Sequence, residues 1–349
     1  MRSMGKLQIE SPFVQAALSG YSDLPMRRLA RRFGAAYTLN EVVLDKFVLQ
    51  KTRKPKLYLQ LTEDDHPVGG QLMGSNPQDF APAAAAMAEA GYDAIDINFG
   101  CPVKKVLGRC RGGYLLSQPK IALEMIASVC DAVGTTHPVT VKMRRGTDDS
   151  PQAECRFFTI LDGAFEAGVS AITVHGRTVD QRYVGPSDWS FLAKVKKHVG
   201  DRVILGSGDL FSAEACLQMM KETGVDGVTI ARGCIGNPWI FQECLALMRG
   251  ERLPPPPTIM QQYDAITGHW NDMVSVYGDA LAGRLMRKFG IKYAEHHPIA
   301  RGVRDAFIAA QSPRHITELI DRWYDPSGDY PPVKRRKGHG DLIAAGATK

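Results

Sequence analysis

Residues 92–106 read Tyr92-Asp93-Ala94-Ile95-Asp96-Ile97-Asn98-Phe99-Gly100-Cys101-Pro102-Val103-Lys104-Lys105-Val106, an alternating apolar run that stops at a Gly-Cys-Pro turn. Alternation of this kind is the pattern of a buried strand. Short apolar runs recur at 13–18, 36–43, 68–73, 94–99, 139–143, 171–175, 203–206 and 228–231. Between them lie segments of helical period, such as 80–90, 120–133, 154–167 and 213–223. Three of these end at Gly91, Gly168 or Gly224, as helix C-caps tend to. Eight βα units in succession predict an α/β TIM (β/α)8 barrel, whose site lies at the C-terminal ends of the strands. A doubly wound open sheet would be expected to open with a Gly-rich turn after the first strand, and Gly20-Tyr21-Ser22-Asp23 is not one.

The chain has 349 residues, which leaves room for a small module beyond a barrel of about 250. The break is predicted at Arg252-Leu253-Pro254-Pro255-Pro256-Pro257, where four prolines forbid helix. The reading is a barrel over 1–250, a linker at 251–257, an all-α domain over 258–325 and a flexible tail at 326–349. With 44% hydrophobic and 23% charged residues, the composition is that of a globular chain. Seven scattered cysteines, an odd number without CxxC spacing, argue against a secreted disulfide framework and against a metal site. No apolar signal core or run of eighteen apolar residues occurs, so the expectation is a cytoplasmic protein without membrane attachment. A net charge of +6 allows a polyanionic partner. The excess is local, at Arg27, Arg28, Arg31 and Arg32, at 51–56, at 284–304 and at 334–337.

Placed at the strand ends, the polar residues become candidates: Ser19, Asn40, Glu41, Gln71, Asn98, Cys101, Lys142, His175, Arg177, Ser207, Gly208, Asp209 and Arg232. Cys101 follows Gly100 and precedes Pro102, which favours a stiff turn over a core slot, yet acid, nucleophile and packed hydrophobe all remain open for it. Lys142 lies inside an apolar run, where an ammonium must find an anion or a carbonyl; a salt-bridged surface lysine is the alternative. Gly206-Ser207-Gly208-Asp209 and Ala231-Arg232-Gly233 close the last two strands, a frequent phosphate site in barrels, although such glycines also simply form turns. His175 with Arg177 suits phosphate or ring-edge contacts, and Gln71 offers a donor and an acceptor together.

Taken in order, these pieces resemble the tRNA-dihydrouridine synthases, and the bacterial B-type branch most closely. The resemblance rests on Asp96 to Pro102 with Lys105-Val106, on Val141-Lys142-Met143-Arg144 and Gly146, and on His175-Gly176-Arg177-Thr178 with Gln181 and Tyr183. It continues through Gly208-Asp209 and Ala231-Arg232-Gly233 to Gly236-Asn237-Pro238-Trp239-Ile240-Phe241, and runs from about Pro12 to Asp321. It implies an FMN enzyme, reduced by NADPH, that passes hydride to C6 of a D-loop uridine while the cysteine protonates C5. Carried over by position, Cys101 is the proton donor. Ala17, Leu18, Ser19, Gln71, Lys142, His175, Ser207, Gly208, Asp209, Ala231 and Arg232 would bind FMN, and Asn98 and Arg177 the substrate. Protonating C5 needs an acid still protonated at neutral pH, so Lys104 and Lys105 are expected to face RNA phosphates and not the sulfur. The helical domain resembles the family's tRNA-binding domain, with Arg287 and Lys288 as RNA contacts, and no metal is implied. The chain departs from the family at Ala16-Ala17-Leu18-Ser19-Gly20, where Ala-Pro-Met-Ala-Gly is usual, at Ser207, where Asn is usual, and at Tyr114, where a small residue is common. The alternatives are a flavin reductase acting on another RNA, such as ribosomal RNA, or on a free pyrimidine, and a non-catalytic RNA-binding protein of the same fold.

Overall fold

The computed structural model describes residues 2–50, 59–333 and 335. An antiparallel hairpin, β1 (Arg2–Met4) and β2 (Leu7–Ile9), leads into the barrel. The barrel strands are β3 (Phe13–Gln15), β4 (Tyr37–Leu39), β5 (Val43–Leu44), β6 (Val68–Met73), β7 (Ala94–Phe99), β8 (Val139–Arg144), β9 (Ala171–His175), β10 (Val203–Ser207) and β11 (Gly227–Ile230). They run parallel in the order β4-β3-β11-β10-β9-β8-β7-β6-β5, and the pairing of β4 with β6 closes the ring. Around it pack α1 (Leu24–Arg32), α2 (Asp45–Leu49), α3 (Pro77–Glu89), α4 (Lys104–Leu107), α5 (Pro119–Val133), α6 (Pro151–Glu166), α7 (Trp189–Val199), α8 (Ala213–Thr223) and α9 (Trp239–Met248). After an extended stretch at 251–258 come α10 (Ile259–Tyr277), α11 (Asp279–Tyr293), α12 (Ala300–Ala309) and α13 (Pro313–Trp323).

Local chemistry sets the boundaries. Helix starts carry side-chain caps from Asp23, Asn76, Ser150, Asp188, Ser212, Thr258 and Ser312, several followed by proline at the first turn. Gly91, Gly168 and Gly224 all have positive φ just past a helix end, as their spacing predicts. Two expected strands differ. The run at 13–18 stops at Gln15 because Leu18 to Ser22 form a turn, in which Tyr21 and Ser22 both donate backbone N–H bonds to Leu18 O. The run at 36–43 splits in two, because Asn40 turns its side chain to accept from Gln71 N (2.7 Å) and Glu41 takes Gly20 N (2.7 Å).

Strand side chains alternate between barrel interior and helix layer. Val14, Tyr37, Leu39, Ala94, Ala171 and Leu205 form an inner cluster with Met4 and Ile9 of the hairpin, which plugs the N-terminal end. Phe13, Val68, Leu72, Ile95, Ile97, Val141, Ile172, Val174, Ile204 and Val228 face outward into the main core. By the same alternation Gln71, Asp96, Asn98, Thr140, Lys142, Arg144, Thr173, His175 and Ser207 belong to the inner face, toward the C-terminal mouth.

The helical domain seats on that mouth. Arg28 and Arg32 pair with Asp272 (2.8 and 2.7 Å), Tyr277 OH donates to Asp23 (3.1 Å), and Tyr21 meets Phe289 edge to face. Gly236, at φ +66, lets the loop after β11 lie against the Lys292–Tyr293 backbone, where a Cβ would come within 2.6 Å. Beyond α13 the chain folds back, with Tyr330 against His297 and Arg335 paired to Glu243 (2.5 Å). The basic cluster at 51–56, Lys334 and residues 336–349 lie outside the described residues. Among the described residues no helix is long and apolar enough to cross a membrane.

Candidate active site

The mouth is a basin of positive charge. His175 ends β9 and is held neutral, its pKa pushed well below the ordinary range first by burial and then by Lys142, Arg144, Arg177 and Arg232. Its Nδ1 accepts from Arg177 N (3.3 Å), which leaves the Nε2–H toward the mouth. Lys142 has no hydrogen-bonding partner among the described residues; burial and neighbouring Arg144 press its pKa down to about 8, against the pull of Asp96 and Cys101. Arg232 spreads its guanidinium over the Tyr183 and Phe211 rings (4.7 and 5.1 Å). Such a basin is complementary to an anion with electron-rich carbonyl edges.

Gln71, Asn98 and the Cys101 backbone are linked through Asn98, with less freedom than their side chains alone suggest. Asn98 Oδ1 accepts from Gly100 N (3.0 Å) and Cys101 N (3.1 Å), and its Nδ2 donates to Gln71 Oε1 (2.7 Å). Gln71 Nε2 donates to the buried Asp96 (2.6 Å). Each amide therefore keeps one N–H for the mouth, so both arrive as donors, and Gln71 does not present a free donor and acceptor side by side. Cys101 is half-buried on the loop, whose Gly100 O takes Arg144 Nε (3.0 Å) and whose Cys101 O takes Gly113 N (3.0 Å).

After β10, Gly208 (φ +117) and Asp209 (φ +59) make a left-handed turn whose N–H groups make no hydrogen bond within the described residues. Consecutive free N–H groups of this kind form an anion nest. Gly233 brings the next loop against it, since a Cβ there would run into Leu210 O. Asp209 itself is spent on the protein: its carboxylate accepts from Arg177 Nη2 (2.7 and 2.8 Å) and Ser187 N (2.8 Å). Arg177 is only 1% exposed and also holds Gly185 O, while its Nη1 is buried without a partner. It thus pins the loops after β9 and β10 and keeps only the two N–H groups of Nη1 uncommitted. Ala17, Leu18 and Ser19 lie on the turn after β3, and Ala231 and Arg232 open the loop after β11.

Lys104 and Lys105 are exposed on α4, and Arg109 is exposed in the turn that follows it. Arg287 and Lys288 are placed otherwise: Arg287 donates to Ala310 O (3.3 Å), and Lys288 donates to Gly20 O and lies over Tyr21 and Phe289 (5.0 and 5.2 Å). Exposed cations of the helical domain include Arg284, Arg301, Arg304, Arg314 and Arg322. Asp96, Arg144 and Tyr183 also line this cluster, although the strand-end candidates do not include them. A period-two reading finds the first two, because Asp96 precedes Asn98 by two residues and Arg144 follows Lys142 by two. Among the described residues no three His, Cys, Asp or Glu side chains gather as a metal site would.

Solved structures share the fold at low identity. Histamine dehydrogenase from Rhizobium sp. 4-9 matches with a TM-score of 0.56 at 15% identity, over 77% of this chain and 50% of that one. Morphinone reductase matches at 0.54 and 13%, over 73% and 90%. Sequence relatives are nearer. A probable tRNA-dihydrouridine synthase of Rickettsia typhi is 32% identical over 93% of this chain and 98% of its own length. The tRNA-dihydrouridine synthase B of Xanthomonas campestris pv. campestris is 32% identical over 95% and 98%. The profile of the dihydrouridine synthase (Dus) family matches residues 14–322, most of the barrel and the helical domain together. The chain belongs to the dihydrouridine synthase family.

Proposed function

We propose that this protein is a flavin-dependent tRNA-dihydrouridine synthase that uses FMN and NADPH, with Cys101 as the acid. The observation that carries the reading is the convergence of Lys142, Arg144, Arg177 and Arg232 around a neutral His175, beside the Cys101 loop. The residues fit FMN: an ammonium without a partner, a buried orphan donor at Arg177 Nη1, and free N–H groups at Gly208 and Asp209 all await an anionic group. In this reading Gly208, Asp209, Ala231 and Arg232 hold the phosphate, with Ser207 and His175 beside it. Lys142 and a Gln71 N–H meet the polar ring edge, and Ala17, Leu18 and Ser19 line the other side. Bound and reduced by NADPH, the flavin supplies the hydride taken up at C6 of the uridine.

The chain's own residues do the remainder. Asn98 turns an N–H toward the uracil, which supplies carbonyl acceptors. Cys101 gives its proton to C5 from a loop held by Asn98, Arg144 and Gly113, and solvent reprotonates the resulting thiolate. Lys104 and Lys105, with Arg109, Arg284, Arg301 and Arg304, hold the RNA backbone while the target base is swung into the mouth. These exposed cations favour a structured RNA over a free pyrimidine, and the family relatives favour tRNA.

The test uses purified protein and tRNA from a strain lacking dihydrouridine. Wild-type protein is expected to be yellow, to oxidise NADPH and to form dihydrouridine. Cys101→Ala is expected to keep its colour and its flavin reduction while dihydrouridine formation falls by about 100-fold or more. A wild-type rate of dihydrouridine formation in that variant removes the acid role, and a protein that never binds FMN removes the whole reading.

A further inference from the structure

We propose that Asp96, buried beneath the barrel mouth, is a positioning residue that orders the Cys101 loop through Gln71 and Asn98. The side chains form one chain of hydrogen bonds. Thr140 Oγ1 donates to Asp96 Oδ1 (2.6 Å), Gln71 Nε2 to Asp96 Oδ2 (2.6 Å), and Asn98 Nδ2 to Gln71 Oε1 (2.7 Å). Gly100 N and Cys101 N then donate to Asn98 Oδ1 (3.0 and 3.1 Å).

Polarity makes this more than a list of contacts. Both Asp96 oxygens accept, one from Thr140 and one from Gln71, so Gln71 turns its NH₂ to Asp96 and its carbonyl to Asn98. Asn98 must in turn present its NH₂ to Gln71 and its carbonyl upward. At the other end, backbone N–H groups only donate, and they require that same orientation. Both ends impose one sense on two amides that could otherwise each flip.

Asp96 is 1% exposed, and a buried carboxylate is costly to the fold unless its bonds are complete. An apolar side chain of similar volume at an inward strand position would serve packing as well. What it could not do is accept from Gln71. Without that bond Gln71 is left with an unpaired buried donor and is free to rotate. Asn98 then loses its defined partner, and the two N–H bonds that hold Gly100 and Cys101 loosen. Asn40, which accepts from Gln71 N (2.7 Å), fixes the Gln71 backbone and not its amide. The Lys142 ammonium, on the same inner face of the next strand, also feels Asp96, so the carboxylate supports both the acid loop and the cationic basin.

The proposal rests on the reading of Cys101 as proton donor, and its test has an arm that does not. Wild type, Asp96→Ala and Asp96→Asn are treated with iodoacetamide in the folded, RNA-free state, and labelling at Cys101 is timed by peptide mass mapping. In Asp96→Ala the freed loop is expected to label about fivefold faster or more. Its kcat for dihydrouridine formation is expected to fall about tenfold or more, with KM for tRNA within about threefold, as lost orientation would give. Asp96→Asn is expected to stay within about twofold of wild type in both readouts, because its carbonyl can take the Gln71 N–H while its amide donates to the Thr140 hydroxyl. Asp96→Ala at wild-type labelling and turnover overturns the proposal, as does Asp96→Asn impaired as badly as Asp96→Ala. If Asp96→Ala yields no folded protein, Asn98→Ala takes its place in the labelling arm, and an unchanged Cys101 rate there overturns the proposal. Should wild type form no dihydrouridine, the function fails while the labelling arm still decides the role of Asp96.

Discussion

Arg177 is buried and Lys142 half-buried at the mouth, and the two cations do different work because only one has a partner. Arg177 is neutralised by Asp209, so its charge is part of the scaffold. The Lys142 ammonium waits for a ligand, and its pKa falls from 10.5 to about 8 through burial and Arg144. The sign of the resulting linkage is fixed. A lysine whose folded pKa is depressed destabilises the folded chain fully below about 8, and the penalty fades as pH rises toward 10.5. Lys142→Met is therefore expected to stabilise the flavin-free protein at pH 7 by about 2 kcal/mol, with the advantage shrinking to near zero by about pH 10.5. The same substitution is expected to weaken flavin retention. Urea unfolding of stripped protein at both pH values checks the first effect, and visible absorbance after gel filtration checks the second. A Met variant less stable than wild type at pH 7 would mean that the ammonium is already satisfied within the fold.

At the scale of elements, two loops meet at the proposed phosphate site, and Gly233 is where they touch. A methyl group there must displace Leu210 and with it the turn at Gly208 and Asp209. Gly233→Ala is expected to cost about 2–3 kcal/mol and to lower FMN affinity by about tenfold or more, measured by chemical unfolding and by fluorescence titration of stripped protein. Normal FMN affinity in a stable variant would place the phosphate elsewhere. The glycine was legible as part of a loop in the sequence; its contact with Leu210 was not, because sequence spacing carries no distance between loops. The strands divide the same way. The runs at 68–73, 94–99 and 171–175 match β6, β7 and β9, since their alternating apolar residues, such as Ile95 and Ile97, face the outer core along a complete ladder. The runs beginning at Phe13 and Ala36 overshoot, since the side chains of Asn40, Glu41 and Ser22 take backbone partners that apolarity does not register. Three-residue strands such as β1 and β2 are too short for any period to show.

Charge counted along α11 suggested an RNA-binding run, yet the whole molecule uses part of that charge to join its two parts. Lys288 ties α11 to the turn after β3, and Arg287 caps the end of α12. Together with the Asp272 pairs and the Tyr277–Asp23 bond, these contacts seat the helical domain on the loops that form the mouth. On the proposed function, a uridine entering the mouth would lie beside both parts, and the cations left for its backbone would be the exposed ones. Exposure, not residue type, separates two kinds of variant. Replacing both Lys104 and Lys105 by alanine is expected to weaken tRNA binding and to reduce the slope of log affinity against log salt by about 1.5, since each phosphate contact releases close to one counterion. Lys288→Ala is expected to leave that slope within about 0.3 of wild type while lowering the unfolding midpoint, because its half-buried ammonium is engaged by a carbonyl and two rings. Anisotropy titrations with labelled tRNA from 50 to 200 mM salt measure the slopes. If Lys288→Ala flattens the slope and the double lysine variant does not, RNA passes over α11 and not over α4, and the domain contacts must open when it binds.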